Sequence, residues 1–163
     1  MPIPAFEPSG FLPAGRHRAS PGEFHAGLVV PFPSSSRRPA IYAWWERYVA
    51  SLRWLTQVTR QWIGGSFVSE KLEPADIDVC TFMDGPIVDA LPRQQQDVIS
   101  FMTSGKVAQG FWHCDSYPVL VYPPSHPNYA AYVAAVSYWD QWWGQTRPDP
   151  SGVQITRGYL EIV

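Results

Sequence analysis

The sequence has few cysteines, little excess charge and no long apolar run. Its two cysteines cannot form a metal cluster by themselves. A net charge of −2 argues against the broad basic surface that sequence-independent DNA binding requires. No stretch is apolar enough to cross a bilayer, and the first residues lack the charged-then-apolar pattern of a signal peptide. We therefore expect a soluble, cytoplasmic protein with no membrane contact and no extended DNA partner.

Aromatic residues and prolines are abundant instead. Aromatic residues make up 15% of the chain, with eight Trp, and there are seventeen Pro. A length of 163 residues with 45% hydrophobic and 16% charged residues fits one globular domain with its own core. We expect a single domain over residues 1–163, in which residues 1–40 form an extended N-terminal arm with a short helix.

Hydrophobic spacing predicts alternating helices and strands. Helical periodicity or a helix-opening Pro marks four helices, which we place at residues 20–28, about 40–60, 92–104 and from 127 onward. Strand patterns mark residues 61–68, 77–82, 110–122 and 158–162, and the first two are expected to form a hairpin. This order predicts an α/β (α+β) fold with a mixed sheet.

Two carboxylates flank Ile77, the first residue of one predicted strand. Asp76 and Asp78 should project from the same face, roughly 7 Å apart at Cα. Such close carboxylates repel each other unless a cation lies between them, and Mg²⁺ (or Mn²⁺) is the natural partner. A third carboxylate would complete a two-metal site. Asp115 is the best candidate, because an unpaired charge in its apolar, aromatic stretch would be costly. The alternatives are two solvated acids on a hairpin and a surface acid on an edge strand.

A Gly-Ser turn precedes the paired carboxylates. Gly65 has no Cβ, and Ser66 supplies a hydroxyl near exposed backbone amides, so the turn can approach a phosphate closely. Lys71 could also meet a phosphate, although a lysine in a polar loop is usually only solvated.

Other candidates have simpler interpretations. We interpret Arg37 and Arg38 as a solvated pair, and His113, which shares the strand parity of Asp115, as a packed residue rather than a ligand. Several tryptophans at helical spacing could stack a base but are more often core or interface residues. They are Trp44, Trp45, Trp139, Trp142 and Trp143.

Strand parity separates the two thiols. Cys80 shares the parity of Asp76 and Asp78, whereas Cys114 has the parity opposite to that of Asp115. If the three carboxylates converge, the thiols point to opposite faces of the sheet, and we expect no disulfide between them.

The Gly-Ser turn, the spacer, the Asp-x-Asp strand and a later third Asp resemble the DNA polymerase beta superfamily of nucleotidyltransferases. The segment GSFVSEKLEPADIDV is similar to a bacterial and phage family of small nucleotidyltransferase-like proteins. Shared segments such as FLPAGRH, CDSY, VYPPSHP and GYLEI extend the resemblance over most of the chain. The chain departs from the superfamily in lacking a large helical domain and the Arg-Gly that often follows the Gly-Ser turn, where Phe67 and Val68 stand. The resemblance therefore does not indicate the base or the acceptor.

The resemblance implies a nucleotidyltransferase-like mixed sheet with helices packed mainly on one face. It implies transfer of a nucleotidyl group from a nucleoside triphosphate to a hydroxyl of a protein or an RNA end. Asp76, Asp78 and Asp115 would be the metal-binding and catalytic residues, and Gly65, Ser66 and Lys71 would bind phosphate. The alternatives are a protein of this fold that acts without turnover, as an antitoxin or a phage–host interaction factor, and a structural oligomer built on the Trp-rich helices.

Overall fold

The computed structural model describes residues 3–163 and is organised around one mixed five-stranded sheet. The strands are β1 Gly15–Ala19, β2 Val58–Gly64, β3 Ile77–Asp84, β4 Cys114–Val121 and β5 Gly158–Ile162. They lie in the order β1-β5-β2-β3-β4. The pairs β1/β5 and β3/β4 are parallel, and the two central pairings are antiparallel. The predicted α/β fold with a mixed sheet is confirmed, including the antiparallel pairing of β2 with β3.

Six helices cover this sheet unequally. They are α1 Pro21–Leu28, α2 Arg37–Leu55, α3 Gly85–Ala90, α4 Arg93–Met102, α5 Lys106–Trp112 and α6 Tyr129–Trp143. Apolar residues of α1 to α5 join one core cluster with Ile63, Val79 and Leu160 of the sheet. Residues of α6 pack on the other cluster, which contains Trp62 and Phe82. The helices are thus mainly on one face, as predicted, and α6 alone covers the second face among the described helices.

The longest helix is the one that the apolar spacing predicted, although it ends earlier. Ile41, Trp45, Tyr48 and Leu52 are buried along α2. The helix ends at Leu55 rather than near residue 60, because the backbone from Val58 onward pairs with β3. Local spacing could not show this competition between helix and sheet.

The predicted N-terminal arm is wrong in one part. The predicted short helix is present as α1, and Ser20 caps it with a reciprocal bond to Glu23. The five residues before it are a strand, β1, whose partners run from Gly158 to Ile162 in β5. The arm therefore supplies the outer neighbour of β5, a long-range pairing with no signal in the local sequence.

The predicted strand over residues 110–122 is wrong in its first part. Lys106–Trp112 is helical, His113 is its left-handed cap with φ 53°, and β4 begins at Cys114. His113 therefore shares no strand face with Asp115, and its ring packs 4.9 Å from that of Trp44. Short aromatic runs are compatible with either element, so periodicity could not separate them.

The two cysteines are free and lie in different cores. Cys80 joins the cluster under α6, whereas Cys114 joins the cluster on the opposite face. The predicted separation of the thiols is confirmed. Pro118 lies in β4, which is an edge strand, where the missing N–H of proline is tolerated. Within residues 3–163, the helices are too short or too polar to span a bilayer.

Candidate functional site

Two of the predicted carboxylates are neighbours on adjacent parallel strands. Asp78 of β3 is in register with Asp115 of β4. Asp78 has the parity of Cys80, and Asp115 has the parity of Val119, and both of these partners lie in the core under α6. The two carboxylates therefore point to the α6 side of the sheet, where the two strands begin.

The third carboxylate is joined to this pair by a lysine. The Lys106 ammonium lies 2.8 Å from an Asp115 oxygen and 3.3 Å from an Asp76 oxygen. Gln109, one turn further along α5, donates a hydrogen bond to the same Asp76 oxygen. The expected convergence of Asp76, Asp78 and Asp115 is therefore present, and a cationic side chain lies within it. Sequence patterns missed Lys106 because α5 itself was not predicted.

The cluster has the electrostatics of crowded acids. Burial, followed by repulsion from Asp76 and Asp115, raises the pKa of Asp78 to about 6. The hydrogen bond from Lys106 to Asp115 raises the pKa of the lysine, and burial opposes this increase. One oxygen of Asp115 is buried without a hydrogen-bond partner, and the residue is only 3% exposed. The charges of Lys106 and Arg157 oppose the repulsion at Asp78, so two neighbouring cations partly neutralise the cluster of three acids.

The three carboxylates supply the kind of oxygen ligand that a hard divalent cation needs. As the side chains stand, no group of three His, Cys, Asp or Glu residues in the described chain is arranged to hold a metal ion. The ammonium of Lys106 stands between two of the carboxylates, and an unpartnered oxygen of Asp115 remains available. Carboxylate oxygens are the ligands that Mg²⁺ prefers, so the residues fit such an ion once Lys106 moves aside.

The Gly-Ser turn lies directly against Asp78. Gly65 opens a short 3₁₀ turn, Gly65–Val68, with φ at 73°. A Cβ on Gly65 would fall 1.7 Å from an Asp78 carboxylate oxygen, and a Cβ on Gly64 would fall 1.6 Å from the Trp143 ring. Only glycine allows this close approach of the backbone to the acid and to α6. The predicted phosphate turn and the predicted acids thus share one site.

A buried arginine holds the segment after this turn. The Arg38 guanidinium donates hydrogen bonds to the carbonyls of Phe67, Ser69 and Lys71, at 2.9, 2.6 and 2.6 Å. A fourth bond of 2.8 Å reaches the carbonyl of Leu28. Burial lowers the pKa of Arg38 to about 10.

The interpretation of residues 37 and 38 as a solvated pair is therefore wrong for Arg38. Arg37 is exposed, but Arg38 is fully buried. The two are adjacent on α2, and only the packing of that helix decides which one points inward. Because both residues are arginines in a polar segment, the sequence does not indicate which of them is buried.

A cavity of about 640 Å³ opens beside the cluster. It is lined by five of the six predicted site residues, namely Gly65, Ser66, Lys71, Asp76 and Asp78. Asp115 is not among the lining residues and lies behind Lys106. The opposite wall comes from the end of α6 and from residues 145–157, for which no site residue was predicted.

Positive charge exceeds negative charge on the cavity wall. The two acids Asp76 and Asp78 are accompanied by four cationic side chains, which are Lys71, Lys106, Arg147 and Arg157. Burial lowers the pKa of Arg157, the charge of Asp78 opposes this, and the charge of Arg147 lowers the pKa further. Like-charged guanidinium groups on one cavity wall favour an anionic ligand between them.

Comparison with known proteins gives a family without an assigned activity. A family model described as "Family of unknown function (DUF6932)" matches residues 4–163. The chain matches no curated protein and no solved structure.

Proposed function

The chain belongs to the DUF6932 family, and we propose that it is a metal-dependent nucleotidyltransferase. In this proposal it moves a nucleoside monophosphate group from a nucleoside triphosphate to a hydroxyl of a protein or an RNA end. The observation that carries the proposal is the meeting of Asp76, Asp78 and Asp115 beside the Gly65 turn at a cationic cavity.

The acids would hold Mg²⁺ or Mn²⁺, which when bound would neutralise phosphate charge. Asp76 and Asp78 both line the cavity. The buried oxygen of Asp115 has no other partner in the described chain. A bound cation would therefore offset the cost of burying the Asp115 carboxylate without a full set of partners.

The turn and the cationic wall would bind the phosphates. Gly65 and Ser66 bring backbone amides and a hydroxyl to the cavity, and Lys71, Arg147 and Arg157 supply positive charge. Catalysis of this kind depends mainly on positioning and on charge neutralisation, both of which a preorganised wall provides.

The reaction requires a proton acceptor for the attacking hydroxyl. The acceptor oxygen would form a bond to the α-phosphorus, while the bond from that phosphorus to the β-phosphate oxygen breaks and pyrophosphate leaves. Asp115 would take the proton of the hydroxyl. Lys106, whose side chain is 61% exposed, would turn from the acids towards the phosphates as they enter.

One observation favours a second function. Lys106 already neutralises part of the acid cluster without any metal. A protein that keeps this fold but acts by contact with a toxin or a host factor would need no metal ion beyond this neutralisation by Lys106. In such a protein Lys106 would remain on Asp115 when magnesium and nucleotide are added.

The test is transfer of a labelled nucleotide, with Mg²⁺ or Mn²⁺, to the protein itself, to a partner or to RNA. The wild type should transfer label, and Asp78→Ala should reduce transfer by at least about 100-fold, since loss of one metal ligand removes several kcal/mol of charge stabilisation. Asp97→Ala is the matched control, because Asp97 is an exposed acid on α4 that is paired only with Arg93 among the described residues.

Retention of transfer by Asp78→Ala would overturn the catalytic assignment. Absence of transfer in the wild type, combined with partner activity that survives Asp78→Ala, would favour the second function.

A further inference from the structure

Two exposed aromatic side chains face the cavity from the end of α6. Tyr138 and Trp142 are 55% and 54% exposed. They are four residues apart, so they lie on the same side of the helix. Their rings are nearly parallel, at 15°, with centroids 6.1 Å apart. Both line the same cavity as Asp76 and Asp78.

The position of these rings is held by the residue that follows them. Trp143 is buried, its indole N–H lies 3.1 Å from the Cys80 sulfur, and its ring fills the space that a Cβ on Gly64 would take. This packing fixes the rotation of α6 about its axis. Because neighbouring helical residues point about 100° apart, burial of Trp143 leaves Trp142 on the cavity wall.

The wall beyond the aromatic pair is an ordered hairpin. Gln145 and Thr156 form an antiparallel bridge, and the Thr146 N–H donates to the Ile155 carbonyl at 2.9 Å. This hairpin carries Arg147, so the same cavity has both the aromatic pair and a cationic side chain in its lining.

Polar side chains lie beside the rings. Gln141, Gln145 and Gln154 line the cavity, and the side-chain amide of Gln154 is held by a 3.0 Å bond to the Thr146 carbonyl. Each amide offers both donors and an acceptor. A flat ligand with donors and acceptors on its edge would therefore find partners next to a stacking surface.

We propose that Tyr138 and Trp142 form the base subsite of a bound nucleoside triphosphate. The base stacks on the exposed aromatic face, and the phosphates lie towards Arg157 and the Gly65 turn. The cavity volume of about 640 Å³ is within the range of roughly 300–1,000 Å³ for small-molecule sites. This inference rests on the proposed function for the choice of ligand, but it assigns Tyr138, which no motif contains, and Trp142, for which the sequence favoured a core or interface role.

Binding of each of the four nucleoside triphosphates and of inorganic tripolyphosphate is measured by calorimetry, with Mg²⁺ present. Wild type should bind at least one nucleoside triphosphate more tightly than tripolyphosphate. Trp142→Ala should weaken that nucleotide by roughly 5- to 150-fold, as expected for one lost base–aromatic stack, and should leave tripolyphosphate unchanged. Trp142→Phe, which keeps a stacking ring, should recover most of the affinity.

Trp54→Ala is the matched control. Trp54 is 90% exposed on α2 and lies outside the cavity, so its removal should change neither ligand. Circular dichroism of each variant checks the fold.

The inference is overturned if tripolyphosphate binds as tightly as every triphosphate, if Trp142→Ala leaves nucleotide affinity unchanged, or if no nucleotide binds. A short single-stranded RNA could instead bind more tightly than any triphosphate and lose this binding in Trp142→Ala. That result would show that the two rings bind the acceptor RNA, and it would also overturn the inference. The two proposals fail separately. If nucleotide binding depends on Trp142 but no transfer occurs, the base subsite stands and the nucleotidyltransferase activity is refuted. If transfer occurs and Trp142→Ala does not change it, the activity stands and the base subsite is refuted.

Discussion

Replacement of Arg38 by Met should unfold the protein at a markedly lower temperature. The guanidinium makes four hydrogen bonds to carbonyl groups and is fully buried. Hydrogen bonds to charged groups contribute about 1.5–3 kcal/mol each, and the cost of desolvating the guanidinium offsets several kcal/mol of the total. The carbonyls left in the mutant must also find water in a packed region. We expect a net loss of about 3–5 kcal/mol.

The assay is equilibrium unfolding in urea together with a thermal melt. For a chain of this length, about 1 kcal/mol corresponds to a shift of about 2–4 °C, so a loss of about 3–5 kcal/mol should lower the melting temperature by about 6–20 °C. Arg38→Lys should lose nearly as much, because one ammonium cannot reach four carbonyls arranged around a planar fork. Arg37→Met is the control, since Arg37 is exposed on the same helix turn and should change stability by less than about 0.5 kcal/mol.

The same substitution should also weaken ligand binding at the site. Three of the four carbonyls belong to residues 67–71, directly after the Gly65 turn. At a temperature where Arg38→Met is still folded, its affinity for magnesium and nucleoside triphosphate should therefore be weaker than that of the wild type. A loss of less than about 1 kcal/mol in Arg38→Met would refute the reasoning, because the buried bonds would then be replaced without cost.

Three further perturbations test the acid cluster and its turn. The pKa of Asp78 rises from 3.8 to about 6 on folding. The folded protein is therefore most stable with respect to this group below about pH 4, where Asp78 is protonated, and it loses that stability as the pH rises through 6. Asp78→Asn should accordingly stabilise the metal-free protein by up to about 3 kcal/mol at pH 8 and by little at pH 4, and an equal gain at both pH values in urea unfolding would contradict this. Lys106→Met removes a partly exposed competing cation, so Mn²⁺ should bind about 2- to 5-fold more tightly by calorimetry, and unchanged or weaker binding would argue against competition. Gly65→Ala should lower the free energy of unfolding by at least about 1–3 kcal/mol, because φ is 73° and the new Cβ would fall 1.7 Å from a carboxylate oxygen. Gly110→Ala is the control, since its Cβ meets nothing within 4 Å, and it should leave stability unchanged or raise it by about 0.5–1 kcal/mol. Equal effects of the two substitutions would show that the turn can relax.

Local patterns predicted the elements whose own residues specify them. The apolar spacing of α2, the Pro that opens α1 and the strand pattern of β3 all depend on neighbours within a few residues. The convergence of Asp78 with the Gly65 turn was also accessible, because a short spacer joins them and a hairpin returns the chain to the same edge. These predictions needed no knowledge of distant contacts.

Other elements depend on partners far along the chain. β1 exists as a strand because β5, more than 130 residues later, offers its backbone. The helical turn at α5 was hidden, since an aromatic run fits either kind of element. With α5 unknown, nothing indicated that Lys106 would stand between two of the acids.

By itself, then, the sequence determined the α/β class, the Gly-Ser turn and the set of three acids, because motif and periodicity are local properties. Tertiary structure alone decided that Arg38 is buried while Arg37 is exposed, and that Trp142 is exposed at the cavity while Trp143, which also lines it, is buried in the core. In each of these pairs the two residues are identical and adjacent, so no local preference distinguishes them. The rotation of the helix against the sheet separates them, and that rotation is set by packing among residues from all parts of the chain.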